Sequence, residues 1–137
     1  MRPLACPHIH LKAENVEMTS TWYQQVLEAE LVATRRFRGS VEHELNLQGT
    51  TLVIHGQLER ELPLPKSVQP RFGLDHFGFE VQGLDELASL LDAKGVVFVE
   101  RPSLAAPGVR LAVIEAPDGV RIEFIESRES FPDADEQ

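Results

Sequence analysis

The fold is decided by the stretch DHFGFEV, residues 75–81. Its phenylalanines and its valine alternate with the other residues, so they fall on one face of an extended chain, while His76 and Glu80 fall on the other. The apolar face is bulky enough to pack against a core. An imidazole and a carboxylate on the opposite face need polar partners or a ligand. The stretch therefore predicts a strand with one packed face and one face that serves another purpose.

A second copy of this pattern lies 68 positions earlier, in HIHLKA, residues 8–13. At that offset, apolar residues align with apolar residues through the strand and into the helical pattern that follows, and His8 aligns with His76. The same offset aligns His55 with Glu123, which are two further residues able to bind a metal ion. A sequence that repeats in this way predicts two copies of one supersecondary unit.

Each half of the chain predicts the element order βαβββ. Asn15 is the expected N-cap of the first helix, and Gly95 is expected to end the second. In the first module, about residues 7–57, we expect strands at 8–13, 30–37, 41–47 and 50–56 and a helix that ends near residue 27. In the second module, about residues 74–126, we expect strands at 76–81, 96–100, 110–115 and 120–125, a helix at 84–94 and a loop at 102–108.

The segment between the modules, residues 58–73, contains three prolines and is predicted to be a linker. The acidic tail, residues 127–137, is expected to fray. One βαβββ module cannot cover both faces of its own sheet, so we expect the two modules to lie side by side in one domain. The predicted class is α+β, with the modules forming a curved eight-stranded cup that has its helices outside and its polar faces inside, around a metal site.

Strand parity indicates which side chains share the polar interior. Leu52 and Ile54 point to the helix side of their strand, so His55 points inward, and the same argument places Glu123 inward on the last strand. Three imidazoles and a carboxylate suit one divalent ion, either Zn, Ni, Co, Mn or Fe(II). The predicted metal ligands are His8, His55, His76 and Glu123.

Bulk composition narrows the classes of partner and compartment. The formal net charge of −9 argues against a nucleic-acid or anionic-membrane partner, because binding phosphates needs a basic surface. The single cysteine, Cys6, excludes an intrachain disulfide. No apolar run reaches the ~18 residues of a membrane span, and the N-terminus lacks a signal-peptide core. We therefore expect a cytoplasmic protein.

Three motifs make the sequence resemble the vicinal-oxygen-chelate superfamily over about residues 7–126: PHIHLKAEN…WYQQVLEAELV, LDHFGFEVQGLDELASLLDAKGV and APDGVRIEFIE. This superfamily includes glyoxalase I, methylmalonyl-CoA epimerase, extradiol dioxygenases and fosfomycin- and bleomycin-resistance proteins. The resemblance implies the same four ligands, His8, His55, His76 and Glu123. At the position of His55, however, glyoxalase I has a glutamate and the epimerase a glutamine. The remaining three residues match the His-His-Glu set of the dioxygenases.

The resemblance implies one bound divalent metal ion and three possible functions. The first is a lyase or isomerase that chelates a small oxygenated substrate and stabilises an enediolate, with Glu123 or Glu44 moving a proton. The second is Fe(II) extradiol-type dioxygenation with His8, His76 and Glu123 as ligands. The third is a non-catalytic drug-binding resistance protein, which the retained ligands argue against. Because dimers are common in this superfamily, we expect a homodimer.

The roles expected for the other polar residues are less specific. His10 shares a face with His8 and is expected to support the site or to contact substrate. His43 falls on the apolar face of its strand and is expected to be structural, whereas Glu42 and Glu44 fall on the inward face. Three arginines at the end of the second strand are expected either to lie in solvent or to bind an anionic substrate: Arg35, Arg36 and Arg38.

Overall fold

A computed structural model describes residues 1–127 of the chain. The chain divides into two compact units, Met1–Lys66 and Ser67–Gln137, which are called the first and the second unit below. Each unit has the element order βαβββ and one four-stranded sheet. The α+β class and the two-module architecture predicted from the sequence are confirmed.

The first unit contains β1 (His8–Lys12), α1 (Val16–Leu27), β2 (Glu30–Phe37), β3 (Ser40–Leu47) and β4 (Thr50–His55). Its strands lie in the order β1-β4-β3-β2, with β1 parallel to β4 and the other pairs antiparallel. Asn15 caps α1, since its side-chain oxygen accepts a 3.0 Å hydrogen bond from the Met18 backbone N–H. Gln48 and Gly49 both have positive φ in the turn between β3 and β4, which is the hairpin conformation expected there.

The core of the first unit lies between α1 and one face of its sheet. Tyr23 from the helix and Leu45, Leu52 and Ile54 from the sheet are all fully buried. His43 is on this face, and its Nδ1 forms a 2.8 Å hydrogen bond with the Ser20 hydroxyl of α1. The structural role expected for His43 is therefore confirmed.

The second unit contains β5 (Phe77–Glu80), α2 (Leu84–Ala93), β6 (Phe98–Ala106), β7 (Val109–Glu115), a 3₁₀ turn (Pro117–Gly119) and β8 (Arg121–Ser127). Its strands lie in the order β5-β8-β7-β6, which repeats the topology of the first unit. Fully buried residues from the helix and the sheet form its core. Phe79 stacks on Phe124 on the face that the alternating stretch predicted to be packed.

A buried carboxylate supports the start of α2. Gly83 precedes this helix and has no capping side chain. Glu126 of β8 takes that role, since its Oε2 accepts hydrogen bonds from the backbone N–H groups of Gly83 at 2.5 Å and Leu84 at 3.0 Å. Glu126 is only 5% exposed, and Arg110 Nη1 lies 3.8 Å from its Oε1. The negative charge at the helix N-terminus is thus paired with the helix dipole and a guanidinium.

The sequence prediction for β6 was wrong. A strand ending at residue 100 and a loop at 102–108 were expected, because proline usually interrupts a strand. The structure continues β6 from Phe98 through Pro102 to Ala106. Pro102 is tolerated because β6 is the edge strand of its sheet and the register against β7 shifts between Glu100 and Ser103.

The ends of the second unit also differ slightly from expectation. β8 extends to Ser127, two residues past the predicted end, because Ser127 still pairs with Val109 of β7. The rest of the predicted tail lies outside the described residues.

No helix or strand forms between His55 and Phe77, where the linker is predicted. Neither of the two helices in residues 1–127 is long and apolar enough to cross a membrane.

Candidate functional site

The face of the first sheet opposite α1 is polar. In the β1–β4 register, His8, His10 and Lys12 lie beside Thr51, Val53 and His55, respectively. Paired residues of neighbouring strands point to the same face. The antiparallel register of β3 places Glu42 beside His55 and Glu44 beside Val53, on that same face. The shared face predicted from parity for these histidines and glutamates is therefore confirmed.

Three of these residues bring their side chains together, and we call them the histidine–glutamate group: His10, Glu42 and His55. His10 Nε2 lies 2.5 Å from His55 Nδ1 and 3.8 Å from Glu42 Oε1. Glu42 is 7% exposed and His55 is 8% exposed, whereas the His10 side chain is 36% exposed. The group therefore has a buried side and one ring open to solvent.

Arg35 of β2 holds the glutamates of this face in position. Its Nε donates a 2.5 Å hydrogen bond to Glu42 Oε2, and its Nη2 donates a 2.7 Å hydrogen bond to Glu44 Oε1. These bonds to Glu44 and Glu42 raise the pKa of Arg35. Arg35 is both exposed, with 44% of its side chain accessible, and paired with these two carboxylates. Glu44, which was predicted as a proton carrier, is bound to a guanidinium.

His55 lies in an environment that favours its neutral form. Burial, followed by the nearby His10 and Lys12, lowers the pKa of His55 below its usual value. The ring of Phe37 lies 6.4 Å away, between centroids. His55 Nε2 is buried and has no hydrogen-bond partner among residues 1–127. A neutral imidazole retains a lone pair and is therefore able to bind a metal ion.

In the second unit, His76 and Glu123 meet as predicted. His76 Nε2 lies 3.4 Å from Glu123 Oε2, and its Nδ1 lies 2.7 Å from Asp75 Oδ2. The hydrogen bond with His76 lowers the pKa of Asp75. In the tautomer whose Nδ1–H donates a hydrogen bond to Asp75, the Nε2 lone pair of His76 lies on the side of Glu123. We call these three residues the Asp–His–Glu group.

Gly78 provides the space beside Glu123. These two residues pair in the β5–β8 register. A Cβ atom at position 78 would lie 3.2 Å from the Glu123 backbone oxygen and 3.4 Å from its Cβ. Contacts of that length require the neighbour to shift, so a side chain at residue 78 would disturb the carboxylate. The glycine between His76 and Glu80 on this face therefore has a steric reason.

In the strand register, His10 and His55 have the same relative position as His76 and Glu123, whereas His8 and His55 do not. His76 precedes by two residues the partner of Glu123, which is Gly78. The partner of His55 is Lys12, and the residue two positions earlier is His10. The 68-residue offset holds for β1 and α1, since α1 begins at Val16 and α2 at Leu84, but it is shifted by two residues on β4, where Val53 rather than His55 corresponds to Glu123. Sequence reasoning missed this because strand register is not visible in an alternating pattern.

His8 lies on the same polar face but outside the histidine–glutamate group. Its ring centroid is 6.1 Å from that of His10, and the residue is exposed. Its assignment as a metal ligand stays a prediction, as does the complete four-residue set. The structure shows one such group in each unit, the histidine–glutamate group in the first and the Asp–His–Glu group in the second.

A family model matches residues 5–124, which is most of the chain, and describes the Glyoxalase/Bleomycin resistance protein/Dioxygenase superfamily. The chain belongs to this superfamily. The resemblance drawn from the three sequence motifs is thereby confirmed. Among curated proteins, none matched the chain by sequence.

Solved structures of other superfamily proteins share the fold. A glyoxylase/bleomycin resistance protein/dioxygenase domain from Frankia sp. EAN1pec is 20% identical, with a TM-score of 0.77 over 93% of this chain and 100% of that one. A glyoxalase family protein from Enterococcus faecalis is 22% identical, with a TM-score of 0.74 over 89% of this chain and 97% of that one. The fosfomycin resistance protein FosX from Listeria monocytogenes, in complex with Mn(II) and sulfate, is 20% identical, with a TM-score of 0.69 over 92% of this chain and 94% of that one. At these identities the likeness establishes the fold of the superfamily member described here, and its chemistry has to be argued from its own residues.

Proposed function

We propose that this superfamily member is a metal-dependent enzyme, a lyase or isomerase that acts on a small oxygenated substrate. The observation that carries the proposal is the Asp–His–Glu group. Metal-binding histidines usually donate their second ring N–H to a carboxylate, which fixes the ring and its tautomer. Asp75 bears this relation to His76, and Glu123 offers a carboxylate on the other side of the ring, 3.4 Å away.

The donor atoms fit a divalent transition metal. His76 and Glu123 are partly accessible, with side chains 35% and 15% exposed, so an ion and a substrate can reach them. Imidazole and carboxylate together suit Zn, Mn, Fe, Co or Ni. The ligand set that we propose is His8, His55, His76 and Glu123, as predicted from the sequence; His76 and Glu123 lie together in the second unit. The complex of FosX with Mn(II) supports metal binding by a protein of this fold.

The residues of the chain would orient the reactants and move the proton. When bound, the ion would supply Lewis acidity towards two neighbouring oxygen atoms of a substrate. Asp75 would keep His76 in one tautomer and one orientation. Glu123 or Glu44 would transfer the proton, and the hydrogen bond from Arg35 fixes the position of the Glu44 carboxylate.

The test is metal analysis of protein purified without a nickel column. We expect about one transition-metal ion per chain, and loss of that ion in His76→Ala and in Glu123→Ala. Glu80→Ala is the matched control, because Glu80 lies on β5 and on the same face but outside the group, and it should keep the ion. If both variants retained the metal content of the parent protein, the proposed site would be wrong.

The identity and reactivity of the ion separate the alternatives. Retention of Zn, Ni or Co and turnover without oxygen would support the lyase or isomerase. Oxygen consumption by the Fe(II)-loaded protein with a catechol would replace it with extradiol dioxygenation. Absence of any bound transition metal, together with tight drug binding, would replace it with a resistance protein that only sequesters its ligand.

A further inference from the structure

The first residue of β8, Arg121, lies two positions before Glu123 and has no role in the function proposed above. We propose that its guanidinium binds a carboxylate group of the substrate, beside the ion held at His76 and Glu123. This inference rests on the proposed function and narrows its substrate to a small carboxylic acid that also carries two neighbouring oxygen atoms for the ion.

Arg121 and Glu123 lie on the same face of the second sheet. Ile122 stands between them and is fully buried, on the face that packs against α2. Alternate residues of a strand point to the same side, roughly 6.5–7 Å apart along the chain. A small molecule that binds the ion at Glu123 is therefore within reach of Arg121 if its carboxylate lies a few bonds from the oxygens that bind the ion.

The guanidinium of Arg121 lacks the partners that a buried charged group normally has. Its Nε atom is buried and has no hydrogen-bond partner among residues 1–127. None of the ion pairs formed by the described residues of the second unit includes Arg121. Buried polar atoms are normally satisfied, and each exception calls for an explanation. A carboxylate of the substrate would supply the missing acceptor.

Two other arginines of the same unit show what a structural arginine looks like in this protein. Arg101 donates hydrogen bonds of 2.9 and 3.1 Å to the two carboxylate oxygens of Asp92. Arg110 binds both oxygens of Asp85 in the same way, at 2.8 and 3.1 Å. Each of these guanidinium groups already holds a carboxylate in the two-pronged geometry that arginine favours. Arg121 is left with that capacity unused.

The carboxylates near Arg121 are engaged elsewhere. Asp75 and Glu123 both contact His76, through its Nδ1 and its Nε2 respectively. The hydrogen bond with His76 is the main cause of the lowered pKa of Asp75, and the charge of Arg121 adds to it from a distance. Because these two carboxylates repel further negative charge, a substrate group with a single charge suits Arg121 better than a doubly charged one. That favours a carboxylate.

The experiment compares two probes on the Co(II)-loaded protein, acetohydroxamate and succinohydroxamate. Both offer a metal ion the same pair of neighbouring oxygens, and only succinohydroxamate carries a carboxylate. Titrations followed by the Co(II) absorption spectrum should show that the parent protein binds succinohydroxamate about 10–100-fold more tightly, as expected for hydrogen bonds between charged groups. Arg121→Met should abolish this preference without changing the Co(II) content or the affinity for acetohydroxamate. Arg101→Met is the matched control and should keep the preference, because Arg101 already binds Asp92.

Two results would overturn this inference alone. The first is equal affinity of the Co(II)-loaded parent protein for the two probes, which would mean that no carboxylate binds at Arg121. The second is an equal loss of affinity for both probes in Arg121→Met, which would mean that Arg121 supports the structure of the site. A parent protein that takes up no Co(II) would refute the proposed function, and this inference with it. Arg121→Gln provides a second variant if Arg121→Met folds poorly, and circular dichroism checks each fold.

Discussion

Replacing Glu126 with alanine should destabilise the metal-free protein strongly, although the residue lies on the face opposite Glu123. The side chain is 5% exposed and accepts two backbone hydrogen bonds at the start of α2. Loss of a helix cap costs ~0.5–2 kcal/mol, and a buried donor left without a partner costs ~1–3 kcal/mol. The variant avoids the free-energy cost of desolvating a carboxylate, and this gain offsets part of the loss. We expect a decrease of about 2–4 kcal/mol in the free energy of unfolding.

The measurement is urea denaturation at pH 7, monitored by circular dichroism. The dependence of the unfolding free energy on urea concentration should be the same in the variant and in the parent protein. Glu126→Gln keeps one side-chain acceptor and should fall between the parent protein and Glu126→Ala. Glu123→Ala is the control on the same strand, and without metal it should cost less than about 1 kcal/mol, because it removes only a partly exposed carboxylate beside His76. A loss under 1 kcal/mol in Glu126→Ala would refute the capping role.

Further predictions concern the glycine at position 78, the pH dependence of stability and the oligomeric state. Gly78→Val should lower the affinity for the ion that Glu123→Ala loses, because the valine side chain would displace Glu123. Chelator competition measures this affinity, and an unchanged value would contradict the steric argument. Hydrogen bonds from Arg110 lower the pKa of Asp85, so this pair stabilises the fold above about pH 3.9 and loses its effect as the pH falls below the folded pKa. The melting temperature of Asp85→Asn should therefore lie slightly below that of the parent at pH 6, and the difference should shrink as the pH falls below about 3.9. A difference that stays constant in acid would exclude this cause. Light scattering at micromolar concentration should give the mass of a homodimer, and a monomeric mass would contradict that expectation.

Much of the fold follows from alternation and turn residues alone. Periodic apolar positions in both halves predict the βαβββ order, and parity separates His43, which packs on α1, from Glu42 and His55 on the polar face. These predictions succeed because each depends on local geometry. A strand exposes alternate residues whatever its neighbours are.

The predictions that failed or fell short depend on which strands pair and how. The two-residue shift that places His10 beside His55 is a property of the β1–β4 register. Glu126 follows an apolar run and looks like the start of a polar tail, and only the position of α2 gives its carboxylate two partners. Pro102 reads as a strand end unless β6 is known to be an edge. In each case the decisive contact joins residues that are distant in sequence.

The central claim is that a metal ion binds at His76 and Glu123. The most direct test is anomalous diffraction at the metal edge from crystals of the protein loaded with Co(II) or Zn(II). The account predicts a peak ~2.0–2.2 Å from His76 Nε2 and from a carboxylate oxygen of Glu123. Full metal loading with no anomalous peak at these two side chains would contradict it, even if a peak were present between His10 and His55.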